Sequence, residues 1–95
     1  MILQIVRLKS QLDQEDLMTK AREREPEFKK IPGLLQKYYV KMEKEGTYGG
    51  IYVWDTLESI QSFKESDLAR SIPKAYEVIE APQIELMDIL FQLRE

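Results

Sequence analysis

The first ten residues, "MILQIVRLKS", carry apolar side chains at even and odd positions alike. Read as a strand, Ile2, Val6 and Leu8 lie on one face and Leu3 and Ile5 on the other. A strand apolar on both faces must be covered on both. Helices in a short chain can cover only one face of a small sheet. The second face therefore asks for another sheet, and a second copy of the same chain can supply it.

The order of elements narrows the fold further. Asp13 is placed to cap a helix over residues 13 to 30, with Leu17, Ala21 and Phe28 on one stripe and charges elsewhere. Pro26 predicts a kink or break near Arg22 to Glu25, and the charged run "KAREREPEFKK" reads as a solvated helix face. "IPG" at 31 to 33 turns the chain. "LLQKYYVKME" and "YGGIYVW" read as a β-hairpin around "KEGTYGG". In its first strand, strict alternation sets Leu34, Tyr38, Val40 and Met42 on one face and Leu35, Lys37 and Tyr39 on the other.

Thr56 or Asp55 then caps a second helix bearing Leu57, Ile60 and Phe63. Ser66-Asp67 starts a further turn, which Pro73 is expected to stop. "QIELMDILFQL" reads as a last strand with Met87, Ile89, Phe91 and Leu93 on one face. The sum is β-α-β-β-α-β, an α+β fold of ferredoxin-like type: a four-stranded antiparallel sheet with its helices on one face. At 95 residues it makes a single domain, 1–95. With the second face covered by a partner, it forms a homodimer through the sheet faces.

Composition excludes several functions. The 17 acidic residues outnumber 14 basic ones, for a net charge of −3, and no basic block stands out. Nucleic acid is therefore not an expected partner. The chain holds no cysteine and no histidine. That removes thiolate chemistry, the usual neutral-pH base and the commonest metal ligands. No metal site is expected. "ILQIVRL" is too short for a signal peptide, and no run approaches the roughly 20 apolar residues of a membrane span. A cytoplasmic protein with no membrane partner is the expectation.

"IPGLLQKYYV" followed by "GGIYVWDTLESIQSFKESDLAR" resembles the dimeric α+β barrel superfamily, and within it the small mono-oxygenases of the YdhR type. The likeness spans residues 31 to 72, and the element order extends it to the whole chain. It implies a dimeric barrel and cofactor-independent oxygenation or isomerisation of a planar, phenol-like substrate. Related antibiotic-biosynthesis and haem-degrading members also place Trp where Trp54 lies, and an aromatic and Ser-Asp resembling Phe63 and Ser66-Asp67. Haem-degrading members carry Asn on the first strand and His on the second helix. Here Val6 and Arg7 stand in the first region and no histidine lies near Ser71 to Pro73, so no haem ligation is expected.

Candidate pocket residues follow from the strand faces. Tyr48, Tyr52 and Trp54 share a face with Gly50 between them. They form either the core between sheet and helices or the flat walls of a pocket, with Gly50 leaving room for a planar ligand. The pocket reading takes Val6, Gly50, Tyr52, Trp54 and Phe63 as floor and walls. Tyr38 or Arg7 would orient a substrate oxygen, since Tyr38 and Tyr39 point to opposite faces. Arg7 among apolar neighbours needs a partner or an anionic ligand, and Asp88 is a conceivable partner. The alternative function is a non-catalytic module of the same fold that binds a small apolar or aromatic molecule.

Overall fold

The computed structural model describes residues 1–94. Strand β1 (Ile2–Lys9) leads into helix α1 (Gln14–Lys29), then the hairpin β2 (Leu34–Lys41) and β3 (Thr47–Trp54). Helices α2 (Leu57–Lys64), α3 (Asp67–Arg70) and α4 (Ile72–Ala75) precede the last strand, β4 (Gln83–Asp88). The four strands pair antiparallel in the order β2-β3-β1-β4. This is the ferredoxin-like arrangement, with two short helices added before the last strand.

Local chemistry explains the element ends. Asp13 Oδ1 accepts from the Asp16 backbone N–H at 2.8 Å, and Thr56 Oγ1 accepts from the Ser59 N–H at 3.2 Å. Thr56, rather than Asp55, is thus the cap of α2. Gly33 has φ +82°, and a side chain there would run into Ser59 and Asp55. Its carbonyl accepts the Asp55 N–H at 3.0 Å, so the Pro-Gly turn docks directly on the start of α2.

Three expectations are corrected. Helix α1 runs through Pro26 without a break. Phe28, two residues beyond, is buried among Tyr52, Trp54, Ile60 and Phe63, and that burial holds the last turn in place. Pro73 lies in the first turn of α4 instead of stopping a helix, a position where its missing N–H costs nothing. Strand β4 ends at Asp88, which pairs with Ile2. Beyond it β1 offers only Met1, whose carbonyl takes the Ile89 N–H at 3.0 Å. Leu90, Phe91 and Leu93 are left 82–90% exposed.

Two buried clusters lie between sheet and helices. Leu8, Leu17, Ala21, Tyr48 and Tyr76 form one, and Phe28, Tyr52, Trp54, Ile60 and Phe63 the other. Leu57, expected with Ile60 and Phe63, is half-exposed. The opposite sheet face carries Leu3, Ile5, Ile51, Val53 and Tyr38 with no helix over them.

Candidate functional site

The placement of the candidate residues turns on one irregularity. The β2–β3 register runs Leu34↔Trp54, then Gln36↔Val53 and Lys37↔Tyr52, so Leu35 is an extra residue in β2. A bulge of this kind moves every later side chain to the other face. Leu34 therefore shares the helix side with Lys37 and Tyr39, opposite Tyr52 and Gly50. Tyr38 pairs with Ile51 on the uncovered face, so it does not line the space between sheet and helices. Tyr39 does.

Arg7 is also on the uncovered face. Its Nη1 lies 3.1 Å from Glu85 Oε1, two half-exposed side chains on adjacent strands. Asp88, the partner considered from the sequence, instead stands opposite Ile2. Val6, Gly50, Tyr52 and Phe63 do lie between sheet and helices.

Trp54 is fully buried at 0% exposure, which makes it core and not a pocket wall. Its ring stacks on Tyr52 at 5.9 Å and 7°, and Phe63 tilts against it at 5.5 Å. Its Nε1 donates to Gln4 Oε1 at 2.9 Å. Gln4 is the one polar residue on the face of β1 that Ile2, Val6 and Leu8 share, and a buried indole N–H needs such an acceptor.

The gap expected at Gly50 is filled. A Cβ built there would lie 2.9 Å from Tyr52 Cε1 and 3.1 Å from Lys37 Cε. The stem of Lys37 crosses from the neighbouring strand and occupies the space. Its Nζ lies 3.7 Å from the Phe28 ring centroid, 4.3 Å from Tyr39 and 4.6 Å from Tyr52. Burial, with the Arg24 guanidinium nearby, lowers its pKa from 10.5 to about 7. Strict alternation places Lys37 on a strand face with Leu35 and Tyr39 and does not mark it as a pocket residue.

Arg24 was read as part of a solvated face. It occupies the inward stripe of α1 between Ala21 and Phe28, at the spacing that faces the sheet. Its Nη2 donates to Ser71 Oγ at 2.8 Å, and its guanidinium lies 5.6 Å over the Tyr76 ring and 5.8 Å over Phe28. Burial pushes the phenols of Tyr39, Tyr52 and Tyr76 upward, Tyr39 to about 12. They are neutral donors at any ordinary pH.

A groove of about 300 Å³ on the β2 side borders Phe28, Lys37 and Tyr39, and two further spaces lie under the helices against Tyr52. An inner cavity of about 30 Å³ is walled by Val6, Leu8, Lys37, Tyr39, Tyr52 and Tyr76, among others. An outer cleft of about 260 Å³ runs along the β4 side between Gln4, Val6, Ile60, Phe63, Ile84 and Leu86. The inner space fits a water-sized group. The outer one approaches the size of small-molecule sites and is mostly apolar. Val6, Tyr52 and Ile72 are walls of both. Among the described residues, no group of three or more Asp, Glu, Cys or His side chains is assembled to hold a metal ion.

A ferredoxin-like sheet with an apolar cleft under its helices defines a class of small α+β proteins. The chain belongs to the family described as "Putative mono-oxygenase ydhR", whose model matches residues 2–94. Solved structures share the fold. One is a putative antibiotic biosynthesis monooxygenase from Caulobacter crescentus, with TM-score 0.77 and 19% identity over 95% of this chain and 90% of that one. Another is SnoaB, a cofactor-independent oxygenase from Streptomyces nogalater, with TM-score 0.76 and 14% identity over 99% of this chain and 97% of that one. A third is a putative antibiotic biosynthesis monooxygenase from Bordetella bronchiseptica, with TM-score 0.77 and 19% identity over 95% and 97%. At these identities the likeness is one of fold. No curated protein matches the chain significantly. Among the described residues, no helix is long and apolar enough to cross a membrane.

Proposed function

We propose that the chain is a cofactor-independent mono-oxygenase that binds a planar aromatic substrate in the cleft between sheet and helices and works as a homodimer. The observation that carries this is the outer cleft. Its walls are apolar, its volume of about 260 Å³ suits a small ring system, and it lies on the helix side of the sheet beside the buried aromatic cluster. Membership of a mono-oxygenase family supports the reaction type, and the fold shared with SnoaB supports the absence of a cofactor.

In such chemistry an activated C–H carbon of the substrate supplies the electrons. A CH₂ group and O₂ become a C=O group and water, which balances without an external reductant. The protein contributes orientation, exclusion of water and proton handling. The dimer reading rests on the uncovered sheet face, where Ile5, Ile51, Val53 and Tyr38 have no partner within the chain.

A second reading, a non-catalytic binding module, draws on the cleft's polar inventory. Lys64, Arg70 and the Tyr52 phenol are its ionisable lining residues, and among the described residues no carboxylate lines it to act as a base. An oxygen electrode separates the two readings. Naphthols and enolisable polycyclic ketones are incubated with the protein in buffer carrying labelled O₂. Oxygen uptake with one labelled atom in the product supports the mono-oxygenase. Binding by several such compounds with uptake no faster than in buffer would leave the binding module.

A further inference from the structure

The groove on the β2 side holds a group that the oxygenase reading leaves without a task. Phe28, Leu34, Leu35 and Tyr39 supply its apolar walls, and Glu25, Lys29 and Gln36 its polar ones. At about 300 Å³ it has the size of a small-molecule site. Lys37 borders it, and Nζ stands between two of its walls, 3.7 Å from the Phe28 ring centroid and 4.3 Å from that of Tyr39. Among the described residues no carboxylate lies within ion-pair distance of it. The Arg24 guanidinium shares the Phe28 ring with it, at 5.8 Å. A lysine held among apolar walls beside a second cation is disposed to lose its charge and act as a nucleophile.

We infer that Lys37 is a covalent capture site for small aldehydes, its Nζ condensing with the carbonyl carbon of a molecule whose apolar body lies in the groove between α1 and β2. This site is separate from the outer cleft, so it stands or falls independently of the oxygenase reading. Burial selects the adduct. Ring faces stabilise a buried ammonium less than water or a carboxylate does. A neutral imine removes that charge and leaves an apolar substituent among Phe28, Leu34 and Leu35. A carbamate formed with carbon dioxide would instead set an anion against the negative faces of the Phe28, Tyr39 and Tyr52 rings. A ketone brings a second carbon substituent to an amine already packed on these rings, so an aldehyde is the carbonyl class that fits.

The chemistry is a condensation with no change of oxidation state. The Nζ lone pair forms the C–N bond, and the carbonyl π pair moves to oxygen. A proton passes from nitrogen to that oxygen through water. Loss of the second N–H proton and of hydroxide then gives the C=N bond and one water. Near neutral pH both forms of Lys37 are present, so a neutral amine is available to attack. The titratable and charged groups around Lys37 are Arg24, Glu25 and Lys29 from α1, Tyr39 from β2, Tyr48 and Tyr52 from β3, and Tyr76 after α4. Strand β1 contributes Val6 and Leu8 and helix α4 Ile72, which do not titrate. Tyr39 and Tyr52 stay protonated through the range in which Lys37 titrates.

The test is reductive trapping. The full chain is incubated with benzaldehyde and sodium cyanoborohydride, which reduces the imine to a stable benzyl amine, and peptide mass spectrometry locates the benzyl group. At pH 7 an ordinary lysine is uncharged in only about one molecule in 3,000. Lys37 is therefore expected to be benzylated at least about tenfold faster than any other lysine at pH 7, with the half-rise of its rate near pH 7. Lys37→Met and Lys37→Arg should lose this fast site. Leu35→Trp, which narrows the groove at an exposed position, should slow benzylation of Lys37 while leaving its methylation by formaldehyde unchanged. Labelling spread evenly over the lysines at pH 7, or none at Lys37, overturns the inference. Benzylation at Lys37 that Leu35→Trp leaves unchanged, or slows no more than methylation, overturns the groove as the seat of the aldehyde and the inference with it.

Discussion

Replacing Lys37 with methionine should make the protein more stable. Methionine keeps an unbranched apolar stem over Gly50 and between the Phe28, Tyr39 and Tyr52 rings, and removes the ammonium. The pKa of Lys37 falls from 10.5 to about 7 in the folded protein. At about 1.4 kcal/mol per pKa unit, this sets an upper bound of about 5 kcal/mol on the penalty of burying the charge. The groove on the β2 side admits water to the lysine, so a gain of about 2 kcal/mol at neutral pH is the expected outcome. The sign of the pH dependence follows. Below pH 7 lysine is charged in both states, and the full penalty is present. Between pH 7 and about 10 the unfolded chain binds more protons than the folded one, so wild-type stability rises with pH. Above that range the raised phenols of Tyr39 and Tyr52 reverse the trend, because the unfolded chain ionises first. Urea melts at pH 6, 7, 8 and 9 should show wild type gaining stability on the alkaline side of pH 7 and Lys37→Met staying flat. A variant less stable than wild type at pH 7, or two parallel pH profiles, would refute the reasoning.

Two further outcomes test the architecture. Trp54→Ala should cost about 3–5 kcal/mol, since Trp54 is fully buried, and urea denaturation should show a large part of the small domain's stability gone. Trp54→Phe should cost about 1–3 kcal/mol, chiefly by leaving the buried Gln4 oxygen without its donor. Tyr38→Glu places a charge on the uncovered sheet face, and light scattering should show a dimer for wild type and a monomer for the variant. A variant that stays dimeric would put the interface elsewhere.

Much of the fold was legible because it depends on local chemistry. Alternating strands, the Asp13 and Ser66 caps, the Pro32-Gly33 turn and the order β-α-β-β-α-β all follow from periodicity and backbone preference. The residues of the β3 face were legible for the same reason: a strand paired on both sides without a bulge keeps its alternation. Phe63 follows equally from helical spacing.

What the sequence could not decide is everything set by a register shift or a neighbour's side chain. One extra residue at Leu35 exchanges Tyr38 for Tyr39 on the helix side and turns Lys37 inward, and nothing in "LLQKYYV" marks the bulge. Glycine at position 50 announces a gap, but only the paired strand shows that Lys37 fills it. Arg24 sits on a helical stripe that periodicity assigns to the core, yet its charge argues for the surface. Packing overrides that argument with two aromatic faces and the Ser71 hydroxyl. Trp54 could be core or wall until Gln4 was seen to take its N–H. Periodicity is a property of a few consecutive residues, whereas a pocket is built by residues dozens of positions apart. Their meeting is decided by the free energy of the whole packed layer.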